Sequence, residues 1–239
     1  MQYSTLTQIK TRLNNECDLF DEGFIEQDTE LLGYINSAID DAEASIHSLY
    51  EDYFLNRATI TLVSGTATYS APSDIFANKI RALQYNSTVA GNGYPIRKIK
   101  RLSEVLYYAN TSASTSVYKY LITNDVTAGI KINFFPTPNE SGPLIDTWYI
   151  RNAKTLSNGS DSCDIPEFIN FIYAHVKYHV ARKEKMQIDL ATAKEEYLDQ
   201  KALMEKTLTD MIPSDDGTEI EKDFSFYKDF DSSLEMRGV

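Results

Sequence analysis

Near its start the chain places Leu6, Ile9 and Leu13 on one face of a helix that Ser4 or Thr5 can cap. After Gly23, a cap at Asp28 or Thr29 opens a longer helix with apolar positions at Leu32, Ile35, Ile39, Ala42, Ile46, Leu49 and Tyr53. Steps of three and four residues make one unbroken stripe, the pattern of an amphipathic helix with a buried face. At Arg57 the period changes to two. Ile60 and Leu62 alternate with Thr59, Thr61 and Val63, and Ser64-Gly65 predicts a tight turn into a second strand over 66–69. A third strand is expected over 79–85, then the loop Ala90-Gly91-Asn92-Gly93 and a short strand through Ile96 and Ile99. Ser103 is the expected cap of a short helix over 104–109.

A meander of three strands should follow, over 117–123, 130–135 and 144–150. Its last two members are parted by Pro136-Thr137-Pro138-Asn139-Glu140-Ser141-Gly142-Pro143, which cannot be strand interior. Helical punctuation returns at Asp164, with Pro166 in the first turn and Glu167 placed to complete a capping box. Phe168, Ile169, Ile172, Val176 and Val180 give that helix its stripe. A fourth helix, from about residue 188, spaces Leu190, Tyr197, Met204 and Met211 seven apart before Pro213 stops it. The remainder has no period and reads as an extended tail. The expected fold is α+β, a bundle of about four helices drawn from both chain ends with an inserted antiparallel β domain. The expected units are 1–57 (helical, first part), 58–152 (β insertion), 153–212 (helical, second part) and 213–239 (C-terminal docking arm).

Charge sharpens this picture. The net charge is −12, and it is segregated. From Leu13 to Asn56 there are twelve Asp or Glu residues and no Lys or Arg; from Asp210 to Val239 there are nine acids against three bases. The rest of the chain therefore carries +6. Solvated helix faces explain such runs, and so does an assembly whose acidic surface must repel an anion. The one dense basic cluster is Arg97, Lys98, Lys100 and Arg101, either a solvated strand end or a contact for an acidic neighbour. Nucleic-acid binding is disfavoured, because no basic stripe continues beyond it. No apolar run approaches the roughly 20 residues of a membrane helix, and Met1 to Thr5 do not begin a signal peptide. Cys17 and Cys163 are expected to be reduced, buried and unpaired.

Chemistry is sparse. His175 and His179 sit four apart on a predicted helix, a spacing that can hold a metal, but Val176 stands where a metalloprotease needs Glu and no third ligand is near. The expectation is two polar histidines on a helix face, with His47 exposed among acids. Nucleophile elbows and phosphate-cradling glycine loops are absent from the sequence. Asp215-Asp216-Gly217 fails as a calcium loop, because the first ligand position would be Ile212. No catalytic residue, cofactor or metal is assigned. Thirty-five carboxylates leave one enzymatic alternative, a glycan or peptidoglycan hydrolase working with two of them. A small-ligand or regulatory module with an inserted β domain is a further alternative.

Several segments, taken in order, carry a resemblance. They are Tyr34-Ile35-Asn36-Ser37-Ala38-Ile39 in the acidic helix, and Gly65-Thr66-Ala67-Thr68-Tyr69-Ser70-Ala71-Pro72-Ser73-Asp74 after a strand. Phe135-Pro136-Thr137-Pro138, Tyr149, Leu156, Asp164-Ile165-Pro166-Glu167-Phe168 and Tyr173-Ala174 follow. Over about residues 4–185 the chain resembles the head-to-tail adaptor family of short-tailed bacteriophages, also called tail tubular or head-completion proteins. The resemblance implies a structural subunit of a homo-oligomeric ring, commonly twelve-membered, without catalytic residues. Such a subunit is made in the host cytoplasm and ends in the virion at the head–tail junction. Its ring joins the portal protein to a tail ring or nozzle protein and lines a channel through which DNA passes without specific binding.

The tail departs from the family's patterns. Phe224, Phe226, Tyr227 and Phe230 place four aromatics in seven residues among acids, so they are candidate partner-binding anchors. The portal is the expected partner and a neighbouring subunit the runner-up.

Overall fold

The computed structural model describes residues 4–17, 25–26, 29–86, 93–109, 118–184 and 190–212. Among these are five α-helices and a seven-stranded sheet. The chain begins with α1 (Leu6–Cys17). Its cap is reciprocal: the Gln8 N–H donates to Thr5 Oγ1 (3.3 Å), and the Thr5 N–H donates to Gln8 Oε1 (2.9 Å). α2 (Glu30–Leu49) follows, then a 3-10 turn over Glu51–Phe54. The buried face of α2 is Leu31, Ile35, Ala38, Ile39, Ala42 and Ile46, so the expected stripe holds in its centre and drifts at its ends. Leu49 is exposed, and Tyr53 lies in the 3-10 turn. Thr29 makes no side-chain cap.

The sheet is built from β1 (Leu55–Thr61), β2 (Thr68–Ser70), β3 (Ile75–Asn86), β4 (Tyr94–Lys98), β5 (Lys119–Asp125), β6 (Gly129–Phe135) and β7 (Leu144–Arg151). The helix α3 (Leu102–Ala109) separates β4 from β5, so Ser103 lies inside it rather than at its cap. Strand order is β1-β7-β3-β4-β5-β6-β2. Three sequence expectations are corrected by this order. β1 and β2 are not a hairpin: Ser64-Gly65 redirects the chain, with Gly65 at φ 79°, so that β1 pairs with β7 and β2 with β6. The meander is broken, because only β5 and β6 are neighbours and β7 inserts between β1 and β3. The sheet is not wholly antiparallel, since β4 pairs parallel to β5 (Arg97 opposite Lys119). A parallel pair needs a crossover, and α3 supplies it.

The sheet curls around its own core, which is Leu62, Leu83, Tyr85, Ile96, Tyr118, Tyr120, Ile132, Phe134 and Ile145. In β3, Ala77 and Asn78 have positive φ (45° and 62°) where the register to β7 slips. This irregularity bends the strand, and Phe76 beside it stacks on His47 of α2 (3.7 Å between centroids).

A second core is helical. After β7, a 3-10 turn (Pro166–Phe168) leads into α4 (Ile169–Glu184), and α5 (Leu190–Met211) follows. α4 packs against α1, α2 and α5. It buries Phe171, Ile172, Tyr173, Val176 and Val180 against Leu6, Ile9 and Leu13 of α1, Ile35 and Ile39 of α2, and Met204 and Leu208 of α5. Asp164 and Glu167 do not form the expected capping box. Asp164 instead binds Arg151 and accepts from the Lys154 N–H, and Glu167 accepts from Tyr53 Oη at 2.6 Å. On α5 the seven-residue spacing holds at Met204, with Tyr197 and Met211 partly buried; Leu190 is exposed. Both cysteines are buried and neither forms a disulfide. The expected tail, residues 213–239, lies outside the described residues.

Candidate assembly surfaces

The histidines settle first. His175 is 5% exposed, and its ring lies 4.5 Å from that of His179 and 5.5 Å from that of Tyr197. His179 stacks on Tyr34 at 5.7 Å. Burial, with the neighbouring His179 adding to it, pushes the His175 pKa down to about 4, so the ring is neutral at pH 7. The helix-face expectation is therefore wrong for His175: its surroundings are the aromatic seam between α4 and α5. His47 is also misplaced by the sequence, since its side chain is 6% exposed under Phe76 and bonded to Glu43. Among the described residues no group of three or more His, Cys, Asp or Glu is placed to hold a metal. Carboxyls tell a similar story. Those of Glu30, Glu51, Asp125, Asp146 and Asp161 are held below the ordinary range by lysine or arginine partners or by backbone N–H groups. A hydrolase's general acid needs the opposite shift.

Among the described residues, most acids of the segment 13–56 are paired with groups from elsewhere in the chain. Glu16 pairs with Arg12 and Lys177, Glu30 with Lys183, Asp41 with Lys201, and Glu51 and Asp52 with Arg81. Glu51 also holds Lys79, and Glu43 accepts from the Ala153 N–H at 2.9 Å. Glu26 and Asp40 remain exposed. Arg57 is engaged as well: it reaches Asp146 Oδ2 at 2.6 Å while its guanidinium lies 5.6 Å from the Trp148 ring. Asp146, 5% exposed, also accepts from Asn86 (2.5 Å) and Thr59 (3.3 Å).

The segments that carried the resemblance meet in space, and they meet as struts. Asn36 on α2 clamps Leu156 through two bonds of 3.0 Å, one to its carbonyl and one from its N–H. Tyr149 on β7 donates to Asp74 at 2.9 Å, and Asp74 in turn accepts the Asn152 N–H on its carbonyl. The first pair ties α2 to the chain beyond β7, and the second ties the approach to β3 to the end of β7.

The basic cluster stands at the outer end of β4. Ile96 and Ile99 are buried and pin the strand, the latter through its N–H to Tyr120 O at 2.8 Å. Arg97, Lys98, Lys100 and Arg101 are consequently exposed. α3 begins at the next residue, and its Leu106 and Tyr107 are 67% and 69% exposed. Lys119, the register partner of Arg97, bonds Tyr108 of α3, so ridge and helix share one surface. Two further apolar exposures escaped the sequence reading. Leu55, Leu144 and Trp148 are exposed on β1 and β7, and Leu198 and Leu203 on α5. Their positions looked like ordinary strand and helix interior; only an apolar residue out of phase with its element marks them. Phe224, Phe226, Tyr227 and Phe230 lie outside the described residues.

No helix among the described residues is long and apolar enough to cross a membrane. No curated protein matches the chain. The family model of the SU10 adaptor protein matches residues 1–219, nearly the whole chain. The chain belongs to the SU10 adaptor family of phage head-to-tail adaptors, a structural family of the virion.

Proposed function

We propose that the protein is a ring subunit, twelve copies to the ring, that joins the portal protein to a tail ring or nozzle protein and lines the DNA channel. The match over residues 1–219 carries this reading. The exposed apolar residues on α3, α5 and the β1–β7 face support it, because a subunit destined for an assembly keeps such surface for its neighbours. The units proposed are 1–57, 58–152, 153–212 and 213–239. The two separate cores support that division: Phe54 and the four packed helices belong to one, Leu62 through Ile145 to the other, with Ile150 the buried residue of the β unit that packs into the helical core. Among the described residues, Glu26 and Asp40 are the acids of the N-terminal segment left to face passing DNA, where like charge prevents sticking. The basic ridge and the aromatic tail are the partner-contact residues. The protein does no chemistry of its own.

The test is assembly. Purified chain mixed with the cognate portal should give a discrete closed ring by native mass spectrometry and negative-stain imaging. A chain that stays monomeric and binds neither portal nor tail ring would overturn the reading, and glycan cleavage lost on mutating one carboxylate would replace it.

A further inference from the structure

Residues 213–239 carry eight acids and three bases, a net −5, with Phe224, Phe226, Tyr227 and Phe230 inside the acidic run. The described surface offers one counterpart: Arg97, Lys98, Lys100 and Arg101 in five consecutive positions, bordered by the exposed Leu106 and Tyr107. We infer that the C-terminal segment of one copy docks on the β4–α3 ridge of the adjacent copy, so that the ring is laced subunit to subunit by its own tails. The inference rests on the adaptor reading, which supplies the adjacent copy.

Charge and shape agree. Asp223, Asp229 and Asp231 flank the aromatics at spacings that let carboxylates meet the ridge while rings lie against Leu106 and Tyr107. Arginine also attracts aromatic faces, so Arg97 and Arg101 can serve both components. The alternation Phe224, Phe226, Lys228, Phe230 would set three aromatics on one side of an extended segment.

Reach permits it. From Ile212 to Phe226 an extended chain spans up to about 45–50 Å, close to the diameter of about 43 Å expected of a compact unit of this size. The tail departs from α5, which belongs to the helical core, whereas the ridge borders the β core. A segment long enough to cross one subunit width can therefore reach the neighbour's ridge.

The experiment uses full-length chains assembled on portal from equal parts of two pools. One pool has natural isotopes and carries Phe226→p-benzoylphenylalanine; the other is ¹⁵N-labelled and otherwise unaltered. After illumination, crosslinked peptides are identified by mass. The expected product joins residue 226 of the unlabelled pool to ¹⁵N-labelled residues within 97–107. Replacing Arg97, Lys98, Lys100 and Arg101 by Glu in the labelled pool should lower that yield at least tenfold. Asp223→Lys, Asp229→Lys and Asp231→Lys in the crosslinking pool should then restore it, which a merely misfolded ridge could not. Crosslinks confined to the same copy, or to portal, would overturn the inference and leave the adaptor reading standing. Failure of any ring to form would overturn both.

Discussion

His175 should make this protein acid-sensitive well above the pH at which its carboxylates begin to protonate. In the folded state its pKa is depressed from about 6.5 to about 4, chiefly by burial. An unfolded chain takes up a proton as pH falls through 6.5, while the folded chain refuses it until about pH 4. Stability is therefore complete above the unfolded value, declines between pH 6.5 and 4, and levels off below. At pH 5 the loss is about 2 kcal/mol, with a ceiling of about 3 kcal/mol. Charges facing the ring do not cancel it: Asp41 on α2 opposes, but His179 on the same helix and Lys201 on α5 reinforce. His179, itself lowered by burial and by Arg182, titrates in the same direction. The perturbation is His175→Phe, which keeps a ring against Phe171 and Tyr197 and removes a buried Nδ1 that has no partner. Urea midpoints at pH 7.5, 6.0 and 5.0, at fixed protein concentration, give the comparison. Wild type should lose about 2 kcal/mol more than the variant over that range. Parallel pH profiles would show that folded His175 takes up its proton as readily as in the unfolded chain, and the burial argument would fail.

Arg57→Ala should cost about 1–3 kcal/mol, since it strips the main charge partner from an Asp146 that is 5% exposed; thermal or urea unfolding reads it. Arg57 is also the largest influence holding that carboxyl low, so the contribution it makes is present at neutral pH and lost in acid. Ala77→Gly should be neutral or stabilising by up to about 1 kcal/mol, because φ 45° strains any side chain, and a melt several degrees lower would contradict this. Asn36→Ala should lower the melting temperature by removing both bonds to Leu156, whereas Asn36→Asp should recover the bond from the Leu156 N–H only. Deleting residues 214–239 should leave the unfolding transition of the rest unchanged while weakening attachment of the protein to particles; particles that incorporate the truncated chain as well as the full chain would refute a docking role.

How much of the fold was legible follows from what each signal measures. Each of the five α-helices and seven strands among the described residues overlaps a segment marked by period, cap or turn signals, because such signals report local burial and chain direction and little else. Partnership is another matter. Ser64-Gly65 is a sound turn signal, yet Gly65 donates its N–H to Pro138 O and β2 pairs with β6, Thr68 opposite Asn133 at a separation of 65 residues. The turn signal does not encode that choice; Tyr69 packs edge-on to the distant Phe134 and accepts the Val63 N–H on its Oη, which holds β2 against β6. Caps failed for a related reason. Asp164 and Glu167 have the right spacing for a capping box, but an arginine on β7 and a tyrosine after α2 reach them first.

Surface charge was the least legible property, and for a physical reason. A run of twelve acids without a base reads as an acidic face only if its neutralisers are near in sequence, and here they are not: Lys177, Lys183 and Lys201 arrive from α4 and α5, Lys79 and Arg81 from β3. Folding converts segregated charge into paired charge at the seams between elements. The basic ridge stays exposed because buried Ile96 and Ile99 hold its stretch of backbone, with Arg97, Lys98, Lys100 and Arg101 at the surface. The acidic segment was expected to repel and the basic cluster to bind; among the described residues most of the first is paired inside the subunit and the second stays at the surface. A ring assembled from such subunits would draw its electrostatic contacts from residues 97–101 and 213–239 far more than from 13–56, which is why the tail and ridge, rather than the long acidic helix, are the place to perturb assembly.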